Sequence, residues 1–293
     1  ICLAPMGLIL WQPDMGTALV FIPIFFAMAW IAGTKKRYIL FVFLAGFFMI
    51  VLSMIPEFQK LFFRTQIPFL SIFTEDSYMI IFILLIIVVG VIGMLGYIFL
   101  RDRIFYWVMY VAGVLVSSSI GSIIVRHVFE DYSTPKIRLI IFLNPYVDDK
   151  KWGWHIINSI TAVGSGGIWG KGFLGGTQSK LKYVPEQSTD FIFSIISEEL
   201  GLLGGFIILV LYFLIFHRSI NIIKNTSDNY AHLIGAGIIT MFLYHCIINI
   251  GMTMGLMPIT GIPLFFLSYG GSSLLTGLIS IGIILNIYYR RYS

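Results

Sequence analysis

Charge is what this sequence has least of. Only 11% of its 293 residues are Asp, Glu, Lys or Arg, against roughly 25% in a typical soluble domain. It cannot coat a water-facing surface on that ration. Cysteine is scarce too: Cys2 and Cys246 both lie in apolar segments, which gives no disulfide framework. The five histidines show no metal-ligand spacing, so no zinc centre is readable. A phosphate-binding Walker loop and a dinucleotide fingerprint are both missing, and ATP hydrolysis is therefore not a visible chemistry. No charged-then-apolar leader opens the chain. Ile1 already lies inside an apolar segment, which leads us to expect residues upstream of it. The net charge of +5 reflects lysines and arginines in loops, and nothing in it points to nucleic acid.

What the chain has is apolar length. It is 58% hydrophobic, with a mean hydropathy of +0.93. Repeated apolar runs of roughly 20 residues predict an all-α polytopic membrane protein. The runs are continuous rather than alternating, which argues against a β-barrel. Residues 1–11 are too short to span and read as the end of a helix. Spans are expected over residues 16–32, 38–55, 77–100, 104–125, 191–216, 233–254 and 262–288. Residues 56–76 read as an interfacial loop rich in aromatic side chains. A large loop, residues 126–189, precedes the third-last span. Within it, residues 154–163 have apolar side chains at helical spacing and suit either a helix lying flat on the membrane or a solvated linker.

Orientation follows from where short loops carry Lys and Arg. Lys35, Lys36 and Arg37, then Arg101 and Arg103, then Arg218 and Lys224, then Arg290 and Arg291 all fall on one side if each span crosses once. That side is the cytoplasm. The large loop and the Gln12-Pro13-Asp14 turn then face outward; a long loop translocates despite its own basic charge.

The polar stretch 164–201, GSGGIWGKGFLGGTQSKLKYVPEQSTDFIFSIISEELG, is where chemistry is concentrated. Its glycines permit left-handed and close-approach backbone. Pro185 stops any helix arriving from upstream, and Thr189 or Asp190 is placed to cap the helix that follows. A carboxylate at the hydrocarbon boundary is partly desolvated, which raises its pKa and suits it to accept a proton. Asp190 is thus the candidate catalytic base, with capping as the competing role. Ser194 and Ser197 return to the same helical face. Glu198 and Glu199, two turns deeper, read as structural. Lys171, Lys180 and Lys182, with Arg126, Lys136 and Arg138, form an outward basic set suited to a phosphate-bearing ligand or to anionic lipid headgroups. Asp14 can cap the helix after it or pair with a loop cation.

Three motifs carry a family resemblance. They are residues 184–193 (VPEQSTDFIF) followed by Glu198-Glu199-Leu200-Gly201; residues 249–273, from Asn249 through Pro258 and Gly261 to Ser268-Tyr269-Gly270-Gly271-Ser272; and Gln12-Pro13-Asp14-Met15-Gly16-Thr17. The chain resembles the shape, elongation, division and sporulation (SEDS) family of RodA, FtsW and SpoVE, and the segments around Lys171 and Gln178 are closer to the RodA branch. The resemblance implies a SEDS-type helical bundle, a single transmembrane domain over residues 1–293. It implies a peptidoglycan glycosyltransferase that polymerises lipid II, an undecaprenyl-linked sugar, at the outer face of the bacterial cytoplasmic membrane, for cell elongation and shape. The aspartate matching Asp190 is essential in that family. The implied partners are a class B penicillin-binding protein, which is a transpeptidase, and other elongation-complex membrane proteins. Lys171, Gln178, Lys180, Glu186, Thr189, Asp14 and Ser268 are the candidate substrate-binding residues. Whether a divalent cation takes part is not readable from the residues. The family has ten spans, so about four helices are expected before Ile1. Residues 56–126 depart from the pattern and read as an inserted helical hairpin. Two other functions fit the same features: a transporter that flips lipid-linked precursor, and a non-catalytic scaffold for a transpeptidase.

Overall fold

The computed structural model describes residues 3–12, 14–62, 72–128, 138, 140–148, 152–180 and 188–290, and no strand occurs among them. By compactness the chain forms two units, Ile1–Gly33 with Ile137–Ser293, and Thr34–Lys136. Among the described residues, six helices are long and apolar enough to cross a membrane, so this is a multi-pass membrane protein.

In the Thr34–Lys136 unit, helices α3 (Lys36–Phe62), α4 (Asp76–Leu100) and α5 (Arg103–Val128) all qualify as spans. A tight turn joins α4 to α5, with Arg101 in the left-handed region at φ 54°. Gly96 faces the Phe105 ring and Gly93 faces Val108, so small residues let the two helices close on each other. Leu52, Met79 and Ile83 form the core beneath Ile55, Phe73, Val116 and Ile123. The expected loop beginning at Pro56 starts later than the sequence suggests, because α3 runs through Pro56 to Phe62. A proline inside a membrane helix is tolerated where neighbours re-satisfy the freed carbonyl.

The other unit carries α1 (Leu3–Trp11), α2 (Met15–Ile31), a 3-10 turn (Pro145–Asp148), α6 (Trp152–Ser165), α7 (Thr177–Lys180), α8 (Ile192–Lys224), α9 (Asn229–Thr253) and α10 (Gly271–Arg290). Helices α8, α9 and α10 are spans; α2 is equally apolar but has 17 residues. Helix α2 packs on α9, α9 on α8, and α8 on α6. Helix α8 is two helices end to end. Gly201, at φ 68° and ψ −162°, breaks it into residues 192–200 and 202–224. The second piece is about 34 Å long at 1.5 Å per residue, enough to span by itself.

One expected span is wrong in its start. The run 262–288 becomes helical only at Gly271, and residues 258–264 have no regular structure. Pro258 and Pro263 lack an N–H, and Gly255 and Gly261 sit at φ 73° and 75°; hydropathy is blind to both. An apolar environment leaves such a backbone nothing to bond to unless side chains supply it. Here they do. His245 Nδ1 donates to the Pro263 carbonyl (2.8 Å), Asn249 Nδ2 to the Ile262 carbonyl (2.8 Å), and Tyr212 Oη to the Phe265 carbonyl. Leu264 N in turn donates to Ser268 Oγ at 2.8 Å. All four side chains are buried.

Candidate active site

Ile141, Ile156, Phe191 and Ile259 form a buried apolar cluster. Each comes from a different part of the chain: a helical turn after Arg138, helix α6, the start of α8, and the irregular stretch after α9. Burying those four side chains brings their polar neighbours together. Arg138 lies three residues before Ile141, Asp190 one before Phe191, and Thr260 and Gly261 follow Ile259. Arg138 Nη1 reaches the carbonyls of Thr260 (3.4 Å) and Ile259 (3.5 Å). Burial lowers the Arg138 pKa from its ordinary value, while the charges of Asp190 and then Asp14 oppose that shift. A Cβ on Gly261 would lie 3.3 Å from Asp190 Oδ2, and one on Gly16 would collide with the Thr260 carbonyl oxygen. Glycine is thus required at 16 for α2 to approach, which is what carries Asp14 to the site. One cation with two carboxylates around it is the result.

Asp190 is held by its backbone. Asn249 Nδ2 donates to the Asp190 carbonyl (2.9 Å), Ser268 Oγ to the Thr189 carbonyl (2.6 Å), and Tyr269 N to the Ser188 carbonyl (2.8 Å). Residues 188–190 are therefore fastened to α9 and to the stretch before α10. The N-cap position of α8 is Phe191, and its side chain makes no cap bond. Asp14 is the N-cap of α2, accepting from Thr17 N (3.1 Å) and Thr17 Oγ1 (2.6 Å).

The glycine-rich loop closes over the break in α8. Lys171 N and Gly172 N donate to the carbonyls of Glu198 and Glu199 (3.0 Å each), and Leu202 N and Leu203 N donate back to Gly167 and Ile168 (2.9 and 3.3 Å). The loop thus supplies hydrogen bonds that the helix loses at Gly201. Cβ atoms on Gly166 and Gly170 would strike the carbonyls of Ser197 and Glu199, so contact this close needs glycine. Glu198 Oε1 then locks the loop, accepting from Lys171 Nζ (2.8 Å), Gln178 N (3.0 Å) and Thr177 Oγ1 (3.1 Å). Its carboxylate is wholly buried.

The candidate residues are thus distributed as follows. Asp190 and Asp14 share the site with Arg138. Lys171 is paired with Glu198, and Gln178 meets that same carboxylate through its backbone; Lys180 ends α7, exposed. Thr189 and Ser268 are joined to each other, Ser268 serving the backbone. Glu186, Lys182 and Lys136 lie outside the described residues. Arg126 belongs to the other unit, where it pairs with Asp76 at 3.4 Å. Sequence reasoning placed Arg138 only in a general basic set and gave Asn249 no role; a buried Asn ahead of Pro258, Gly261 and Pro263 is the signal that would have found the latter.

Comparison with known proteins bears on this arrangement. The model of the cell cycle protein family FTSW_RODA_SPOVE matches residues 58–293. Peptidoglycan glycosyltransferase RodA of Treponema pallidum (strain Nichols) is 43% identical over 291 residues, 99% of this chain and 67% of that protein. Stage V sporulation protein E of Bacillus subtilis (strain 168) is 47% identical over 156 residues, 53% of this chain and 42% of that protein. Peptidoglycan glycosyltransferase MrdB of Escherichia coli (strain K12) is 40% identical over 181 residues, 62% of this chain and 48% of that protein. The chain spans about two thirds of the first relative's length and under half of the other two. Matched over most of its own length, this chain belongs to the SEDS family of RodA, FtsW and SpoVE.

Proposed function

We propose that this protein is a peptidoglycan glycosyltransferase that polymerises lipid II at the outer face of the bacterial cytoplasmic membrane, working with a class B penicillin-binding protein in cell elongation. The observation that carries the reading is Asp190 held beside Arg138 and Asp14 at the non-helical stretch of a membrane bundle. Family membership supports the substrate.

Asp190 is the general base. It takes the proton from the acceptor sugar hydroxyl as that oxygen bonds to the anomeric carbon of the donor. The bond from that carbon to the phosphate oxygen breaks, and the electron pair leaves on undecaprenyl diphosphate. Arg138 is the cation for the leaving diphosphate, since a fixed guanidinium aimed at developing charge lowers the barrier and pairs well with phosphate. Lys171 was the sequence candidate for that role, but its ammonium is engaged by Glu198. Asp14 keeps Arg138 oriented.

The test is glycan-chain formation from labelled lipid II by full-length protein in lipid nanodiscs. Asp190→Asn should abolish product while the protein stays folded and monodisperse. Undiminished polymerisation removes Asp190 from the mechanism. Movement of lipid II between leaflets with no glycan product identifies a transporter instead.

A further inference from the structure

Four apolar side chains of the glycine-rich loop stand out from the protein. Ile168 is 58% exposed, Trp169 80%, Phe173 82% and Leu174 62%. Large apolar side chains exposed together in one short loop mark an interaction site. Its position says which partner. The bonds from Leu202 N to Gly167 and from Leu203 N to Ile168 lay the loop directly against the start of the spanning half of α8. There Leu202, Leu203, Phe206 and Ile207 are themselves exposed, on the piece of α8 that is long enough to span. Ile168 and Trp169 therefore continue the exposed apolar surface of a candidate membrane span. The loop's nearest cation does not interrupt the patch, because Lys171 turns inward onto Glu198.

We propose that Ile168, Trp169, Phe173 and Leu174 form a membrane anchor, inserted at the headgroup–acyl boundary of the leaflet on the active-site side. Tryptophan favours that depth, where its apolar ring body and polar N–H edge are both accommodated, and phenylalanine, leucine and isoleucine supply the apolar face that enters the acyl boundary. The occupant of the patch is lipid. Docking of another protein on the same face is the competing occupant, and continuity with the exposed apolar surface of α8 favours lipid. The anchor holds whether or not Asp190 is catalytic, since it depends only on the loop's registration with α8.

The experiment uses full-length protein in nanodiscs with Trp169 as the sole tryptophan, every other one, among them Trp11, Trp30, Trp107, Trp152 and Trp154, changed to Phe. Its emission should be blue-shifted, quenched at least twofold by acyl-brominated phospholipid, and barely quenched by aqueous iodide. Strong iodide quenching with no effect of brominated lipid overturns the proposal. So does a blue shift that appears only when a purified transpeptidase partner is added. Should the multiple replacement not fold, Trp169→Cys in the otherwise native chain, labelled with a nitroxide and corrected for signal from the unmodified chain, answers the same question. Collision with oxygen should then exceed collision with a water-soluble nickel chelate, and the reverse order overturns the anchor.

Discussion

Lys171 Nζ and Glu198 Oε1 lie 2.8 Å apart, the glutamate side chain wholly buried and the lysine 27% exposed. This pair joins the glycine-rich loop to α8 just ahead of its break. Removing the lysine leaves a carboxylate stranded in the interior. Breaking a buried pair from one side costs about 3–5 kcal/mol, and the low end applies because Lys171 reaches solvent. Lys171→Met should therefore lower the unfolding midpoint in detergent by several degrees and expose the loop to protease. Lys171→Met with Glu198→Gln should recover most of the loss, since no charge is then left unpaired. Equal destabilisation by single and double variants would mean the ion pair is not what secures the loop.

Gly201 offers a second handle on the same junction. It sits at φ 68°, and a Cβ there would strike Gly170 N and the Ile168 carbonyl. Gly201→Ala adds a left-handed penalty of about 1–2 kcal/mol to that collision. The loop should detach, seen as rapid hydrogen exchange at Lys171 N and Gly172 N, while the exchange of α9 stays unchanged. Intact protection at those two amides would refute the idea that the loop depends on this glycine.

At the site, the helix cap that Asp14 makes and its proposed action on Arg138 can be separated by substitution. Asp14→Ala should cost about 1 kcal/mol through loss of the α2 cap. Asparagine caps as well as aspartate, so Asp14→Asn should leave Tm within a degree. It also removes a charge that acts on Arg138, and should lower kcat/KM about tenfold, equivalent to roughly 1.4 kcal/mol. Unchanged kinetics in Asp14→Asn would confine Asp14 to capping.

Arg138 predicts a pH signature. Burial lowers its pKa, yet a guanidinium keeps its proton throughout the working range. Wild-type activity should show no alkaline limb from this group. Lysine begins near pKa 10.4, and the same burial pushes a cation lower still. Arg138→Lys should thus introduce an alkaline fall in polymerisation, with charge and activity regained as pH drops through the lysine pKa. Arg138→Ala should cost about 10²–10³ in kcat/KM at every pH. A flat alkaline profile for the lysine variant would argue that position 138 does not meet the diphosphate.

How far the sequence revealed this depended on which force decided each region. Spans 77–100 and 104–125 are bounded by charge and lie within a few residues of α4 and α5, because hydropathy alone sets them. Residues 154–163 likewise fall inside α6. The last span was misplaced because Ile262, Leu264, Phe265 and Phe266 are as apolar as any membrane helix. What keeps them non-helical is prolines, glycines and donors from α8 and α9, remote in sequence. Asp190 was legible as a polar residue at an apolar border. Its alliance with Arg138 was not, since only the packing of Ile141, Ile156, Phe191 and Ile259 brings the two positions together. Lys171 looked like a ligand-binding cation for the same reason: nothing local announces that Glu198 will claim it.

The irregular stretch ahead of α10 has a consequence for biogenesis. Its carbonyls are met by Tyr212, His245 and Asn249, all on helices synthesised earlier. Those three donors must already stand in place when residues 258–268 leave the ribosome, or the segment enters the bilayer with naked peptide groups. Assembly of the site is therefore ordered in time. The stretch 258–268 settles after α8 and α9, onto a template those helices have prepared, and a change at Asn249 should first be felt as failed insertion rather than slowed chemistry.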